Sequence, residues 1–102
     1  MYAALTTTHG SNEDMRELAV AVGEEMYRWL CDLEGFRGLM LLTNEETGTS
    51  QVLALWESRE VAEHQRASRL SLRDRVTAAV NVEVQDTVGY EVSFAQFTTP
   101  PE

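Results

Sequence analysis

Two strand-like segments, Phe36–Thr43 and Gln51–Trp56, carry apolar residues at consecutive rather than alternate positions. They are Leu39, Met40, Leu41 and Leu42 in the first, and Val52, Leu53, Ala54, Leu55 and Trp56 in the second. Successive side chains of a strand point to opposite faces of its sheet, so both faces of these strands call for burial. "NEETGTS" between them holds the polar and glycine residues of a hairpin connection, which makes the two strands antiparallel neighbours. One layer of helices covers only one face of a sheet. The other face needs a second cover, which another copy of the chain about a two-fold axis supplies. The alternative is an exposed apolar patch of a size that monomers rarely carry.

The remaining segments fit around this pair. Tyr2 to His9 alternates weakly and runs to a turn at Gly10–Ser11, giving a first strand, and Ser11 with Asp14 has the form of a capping box that opens a helix. Met15, Leu18, Ala19, Val22, Met26, Trp29, Leu30 and Leu33 recur at helical spacing as one apolar stripe, and Gly35 supplies a left-handed C-cap. Ser58 caps a second helix running to about Val80, with Asn81 as its stop. "GYEVSFAQF", Gly89 to Phe97, reads as the closing strand. The order is βαββαβ, the α+β ferredoxin-like arrangement of a four-stranded antiparallel sheet with two helices on one face. The 102 residues make a single domain, 1–102, in which 98–102 is a frayed tail.

Composition bounds the function. The formal net charge is -9, from 17 acidic residues against eight arginines, and a field of that sign repels phosphate backbones and anionic lipid surfaces. Nucleic acid and membrane are therefore not expected partners. One cysteine, Cys31, makes no internal disulfide, and no leader-like stretch opens the chain, so a reduced, cytoplasmic setting is expected. His9 and His64 are the only histidines and stand at no recognisable ligand spacing from a carboxylate, so no metal site and no cofactor are expected. Phosphate-binding glycine loops and a hydrolase nucleophile motif are also missing.

With these residues in place, the chain resembles the antibiotic biosynthesis monooxygenase (ABM)-like domains of the dimeric α/β-barrel superfamily. "EGFRGLMLLTNEETG" is similar to that family's second strand, "LALWESREVAEHQRAS" to its third strand and second-helix start, and "VGYEV" to its closing strand. The resemblance implies a homodimer whose two sheets form a barrel, with a pocket for a small apolar or aromatic ligand between sheet and helices. Its members include cofactor-independent oxidases of quinols and polycyclic aromatics, haem-degrading enzymes and proteins without known activity. Two departures stand out. Where many quinol-oxidising relatives carry a second histidine, this chain has Ser68, Arg69 and Leu70. Where the haem-degrading branch uses Trp and His, it has Gln65 and Arg75, leaving His9 or His64 as the only substitutes.

On a helical wheel the second helix turns Val61, Gln65, Ser68, Leu72, Val76 and Ala79 inward, with His64, Ser68, Ser71 and Arg75 along its edge. Under the oxygenase reading His64 is the candidate proton acceptor, because an imidazole titrates near neutral pH, and Arg75 or Arg37 would stabilise a substrate anion. Trp56, Gln65, Ser68, Met40 and Leu55 are the expected cavity walls, although Trp56 equally suits a core or interface and His64 a solvated surface. The expectation is a cofactor-independent monooxygenase acting on a small aromatic, polyketide or quinol. The alternative is a non-catalytic dimeric barrel that binds a metabolite or serves a stress response. A haem-binding or haem-degrading protein ranks behind both.

Overall fold

The computed structural model describes residues 1–9, 15–80 and 83–98, with the backbone only at 77, 79, 80, 83 and 85. The expected turn at Gly10–Ser11, the Ser11–Asp14 capping box, the Asn81 stop and the tail from 99 onward lie outside the described residues, as does the Ala79 side chain. Seven elements follow in order: β1 (Tyr2–His9), α1 (Met15–Leu30), β2 (Phe36–Asn44), β3 (Thr49–Trp56), α2 (Arg59–His64), α3 (Arg66–Val80) and β4 (Glu83–Glu91). The strands make one antiparallel sheet in the order β2-β3-β1-β4, which is the ferredoxin-like layout. No helix among the described residues is long and apolar enough to cross a membrane.

Register separates the two faces of the sheet. Leu39 stands opposite Ala54 and Ala54 opposite Ala4, Leu41 opposite Val52 and Val52 opposite Thr6, while Trp56 lies between Phe36 and Tyr2. This set faces the helices, where Ala4 and Trp56 join Met26, Leu30, Ala62 and Leu72 in the buried core. Trp56 is fully buried and meets the Phe36 ring edge-on at 5.6 Å. The alternate set, Met40, Leu53, Leu5 and Val88 in one row and Leu55, Ala3 and Tyr90 in the next, points away from the helices. Met40 and Leu42 are each 43 % exposed there and Tyr90 52 %.

The connection after α1 shows why Gly35 is glycine. α1 ends at Leu30 rather than Leu33, and the chain turns through Leu33–Phe36, closed by the Phe36 N–H donating to the Leu33 carbonyl at 3.4 Å. Gly35 is third in that turn with φ 82°, a left-handed position, and Val61 of α2 packs so closely that a β-carbon would overlap its methyl. Its carbonyl accepts from the Glu57 N–H at 2.8 Å, tying the turn to the end of β3.

Two expectations about the second half of the chain need correction. The helix that Ser58 opens is not continuous to Val80. Ser58 does cap α2, accepting from the Val61 N–H at 3.2 Å, but the helix breaks at Gln65, whose φ of −92° and ψ of 9° lie in the bridge region. The Arg69 side chain marks the break, its Nε donating to the Ala62 carbonyl near the end of α2 at 2.9 Å. The closing strand spans Glu83–Glu91, not Gly89–Phe97. β1 starts at Tyr2, so pairing ends at Glu91, and the last bond runs from the Val92 N–H to the Met1 carbonyl at 2.9 Å. Beyond it an arm without regular structure leaves Phe94 81 % and Phe97 75 % exposed.

Candidate functional site

The helix layer closes unevenly over the sheet. α1 lies on β2, and α2 reaches β3 and β1. Above β1 and β4 lies a cleft of about 310 Å³ under α3, whose floor is the small residues Ala4, Thr87 and Gly89 with Tyr2 at one end. Gly89 has its own reason: the Tyr2 ring lies across it where a β-carbon would stand, so glycine lets the aromatic side chain form one end of the floor. Arg66, Arg69 and Arg73 descend from α3 as the opposite wall, at the three- and four-residue steps that share a helix face. Glu63 closes the rim.

The three arginines are not equivalent. Arg66 lies 3.5 Å from the Glu63 carboxylate, both exposed. Arg73 bonds Asp74 at 3.1 Å and donates from Nη1 to the Thr87 hydroxyl at 3.4 Å. Arg69 is half-buried and makes no ion pair among the described residues. Its Nε is held by the Ala62 carbonyl and its guanidinium carbon sits 5.7 Å from the centre of the Trp56 ring, a cation–π distance. Burial pushes this guanidinium below the usual arginine range, while the charge of Glu63 and then that of Tyr2 work in the other direction. With Arg66 paired to Glu63 and Arg73 to Asp74, Arg69 is the charge left over among the described residues, which makes the cleft locally positive in a chain whose net charge is -9.

The residues expected to form the site are dispersed. His64 is exposed at the end of α2 and lines a separate, open depression of about 270 Å³ with Glu34, Glu60, Val61 and Gln65. Ser68 is half-buried and Arg75 exposed, and neither lines that depression or the cleft. Trp56 belongs to the core and reaches the cleft only by holding Arg69; its Nε1–H is buried without a partner among the described residues. Met40 and Leu55 point away from the helices because they occupy the alternate positions of β2 and β3. Arg37 sits in the bulge between Phe36 and Gly38, with its guanidinium 3.6 Å from Glu57.

The sequence reading missed Arg66, Arg69, Arg73, Glu63 and Tyr2. A signal was present in "RASRLSLR", where the arginines keep helical spacing. The wheel turned Leu72 and Val76 inward, as they are, but followed the edge of that stripe bearing His64 and Arg75 rather than the opposite edge, where the arginines stand. Among the described residues no group of three His, Cys, Asp or Glu side chains is placed to hold a metal ion.

No protein-family profile matches the sequence, and no curated protein matches it. Solved structures do. A monooxygenase from the gene ActVA-Orf6 of Streptomyces coelicolor, in complex with nanaomycin D, superimposes with a TM-score of 0.68 over 96 % of this chain and 92 % of its own, at 13 % identity. A variant of SnoaB, a cofactor-independent oxygenase from Streptomyces nogalater, gives 0.63 over 92 % and 95 % at 11 % identity. An antibiotic biosynthesis monooxygenase gives 0.60 over 94 % and 100 % at 12 % identity. The chain thus shares the fold of these monooxygenases.

Proposed function

We propose that the protein is a homodimeric, cofactor-independent monooxygenase whose substrate is a small ionisable aromatic, a phenol, quinol or polyketide, bound in the cleft between α3 and the sheet. The observation that carries this reading is the half-buried Arg69 guanidinium at that cleft, free of any carboxylate partner among the described residues and fixed by Ala62 and Trp56. A fixed cation beside a bound phenol favours its anion, and the anion is the form that reduces dioxygen. Glu63 is the one carboxylate in the cleft and the proton acceptor nearest to hand.

The reaction draws its electrons from the substrate. The aryloxide gives one electron to dioxygen, the resulting radical pair combines at a ring carbon to form a C–O bond, and the O–O bond breaks. The proton first taken from the phenol returns to the outer peroxide oxygen, so that hydroxide leaves as the O–O bond breaks, takes up the proton released from that carbon and becomes water. The ring gains a carbonyl oxygen, so that a phenol and dioxygen give a quinone and water. The protein's share is to ionise the substrate, hold it and keep bulk water from the radical pair.

The homodimer in this reading is supported by the other face of the sheet. Leu5, Leu53, Leu55, Met40, Leu42 and Val88 form a continuous apolar surface with Tyr90, and a second copy covers it reciprocally, each chain supplying the same face and an arm with Phe94 and Phe97.

Oxygen consumption with a panel of naphthols, quinols and anthrones tests the activity. The expected result is uptake of one dioxygen per substrate, with one labelled oxygen from ¹⁸O₂ in the product. Ligand binding without uptake for every member would leave a non-catalytic binding protein.

A further inference from the structure

We infer that the ligand of the cleft carries a fixed carboxylate, which the two terminal nitrogens of Arg69 receive side by side. This rests on the ligand reading above and adds the charge of the molecule bound. Arg66 and Arg73 are already engaged, at 3.5 Å with Glu63 and at 3.1 Å with Asp74. Arg69 spends only Nε, on the Ala62 carbonyl at 2.9 Å, so Nη1 and Nη2 have no hydrogen-bond partner among the described residues.

A guanidinium partly withdrawn from water needs replacement for the hydration it has lost, and a carboxylate replaces it best. Two parallel N–H···O bonds fit its two oxygens, and both groups are ionised throughout the neutral range. A neutral phenol offers one oxygen and must first lose a proton. The fork is also pre-oriented, because Ala62 fixes Nε and the Trp56 ring, 5.7 Å from the guanidinium carbon, limits its tilt. Arg66 and Arg73, one turn to either side, are offset by Glu63 and Asp74, which leaves Arg69 as the unpaired charge of the cleft among the described residues. The cleft, at about 310 Å³, is at the small end of ligand cavities and suits a ligand of one or two rings. An aromatic acid whose ring hydroxyl stands next to its carboxylate combines the docking group with the oxidisable one and keeps both beside the Arg69 charge.

The test is a fluorescence titration of the full-length protein with 2-naphthoate and with 2-naphthamide, which share shape and differ in charge. The acid should bind about tenfold tighter or better, and the preference should fall below about threefold in Arg69→Gln while amide affinity stays the same. Arg69→Lys, which keeps the charge and loses the fork, should give an intermediate value. Equal affinity for acid and amide in the unmodified protein would overturn the inference without recourse to any variant. So would an acid preference that survives Arg69→Gln, or displacement of naphthoate by inorganic phosphate at lower concentration than by acetate. Acid-selective binding without oxygen uptake would retain this inference and remove the oxygenase reading. Uptake with neutral quinols and no acid preference would do the reverse.

Discussion

The two faces of the sheet are built from alternate residues of the same strands, yet they have different fates. On the helix side Leu39, Leu41, Val52, Ala54 and Trp56 are packed under α1 and α2, and the packing gives way to a cleft only where Ala4, Thr87 and Gly89 offer no bulk. On the far side the residues are as apolar, yet Met40, Leu42 and Tyr90 are exposed, with Leu53 and Leu55 half-buried between them. The covered face thus holds the core of the chain, and the far face is where the proposed dimer would form. Small residues at one end of the covered face leave room for chemistry.

Neighbouring positions on β2 offer the sharpest way to break this contrast. Leu41 faces α1, where its methyls lie 3.6 and 3.7 Å from the β-carbon position of Gly23. Leu41→Glu should cost about 3 kcal/mol or more by placing a carboxylate in the core, read as a large shift of the urea midpoint. Met40→Glu, one residue away, should change monomer stability by less than about 1 kcal/mol. It should nevertheless abolish the dimer, so that light scattering falls from a mass near twice 11.5 kDa to 11.5 kDa. If Met40→Glu unfolds the chain and Leu41→Glu spares it, the face assignment is inverted.

The turn that joins α1 to the covered face should tolerate less than its exposure suggests. Gly35→Ala should destabilise by about 1–3 kcal/mol, since a left-handed residue gains a β-carbon against Val61. Gly35→Ala with Val61→Ala should recover the steric part alone, which a pair of thermal melts would separate. Ser58→Ala should cost about 1 kcal/mol, by removing the hydroxyl that accepts from the Val61 N–H.

The smallest expected effect is that of pH on ligand binding. Burial lowers the Arg69 affinity for its proton, the direction that would weaken anion binding as pH rises, but arginine begins so far above neutrality that it stays protonated. Naphthoate affinity should therefore be flat from about pH 6 to about pH 9. An inflection in the histidine range would direct attention to His64 and its open depression.

The fold was legible because its signals are local or periodic. Ser58 in front of the second helix, Gly35 at a left-handed turn and the apolar stripe of α1 each act within a few residues, and consecutive apolar residues in β2 and β3 announced a sheet that is apolar on both faces. The site was not legible, because it depends on phase. Which of Leu39 and Met40 faces the helices is decided by pairing register and by the bulge at Arg37, and alternation in a wholly apolar run carries no trace of either. The wheel turned Leu72 and Val76 inward, as they are, despite the break at Gln65; it gave weight to the edge of the stripe that carries His64 and Arg75 and passed over the opposite edge, where Arg69 stands. The end of β4 is likewise fixed by where β1 begins, a long-range fact that alternation in "GYEVSFAQF" cannot contain.

Oxygen consumption by paired variants tests the central claim most directly, because the two candidate residues lie in different depressions. With a hydroxynaphthoate or quinol that the unmodified protein oxidises, Arg69→Gln should lower kcat/KM by about a hundredfold, as the loss of a positioned charge does. His64→Ala should leave it within about twofold. Activity that survives Arg69→Gln and disappears in His64→Ala would contradict the account and move the chemistry to the depression at the end of α2.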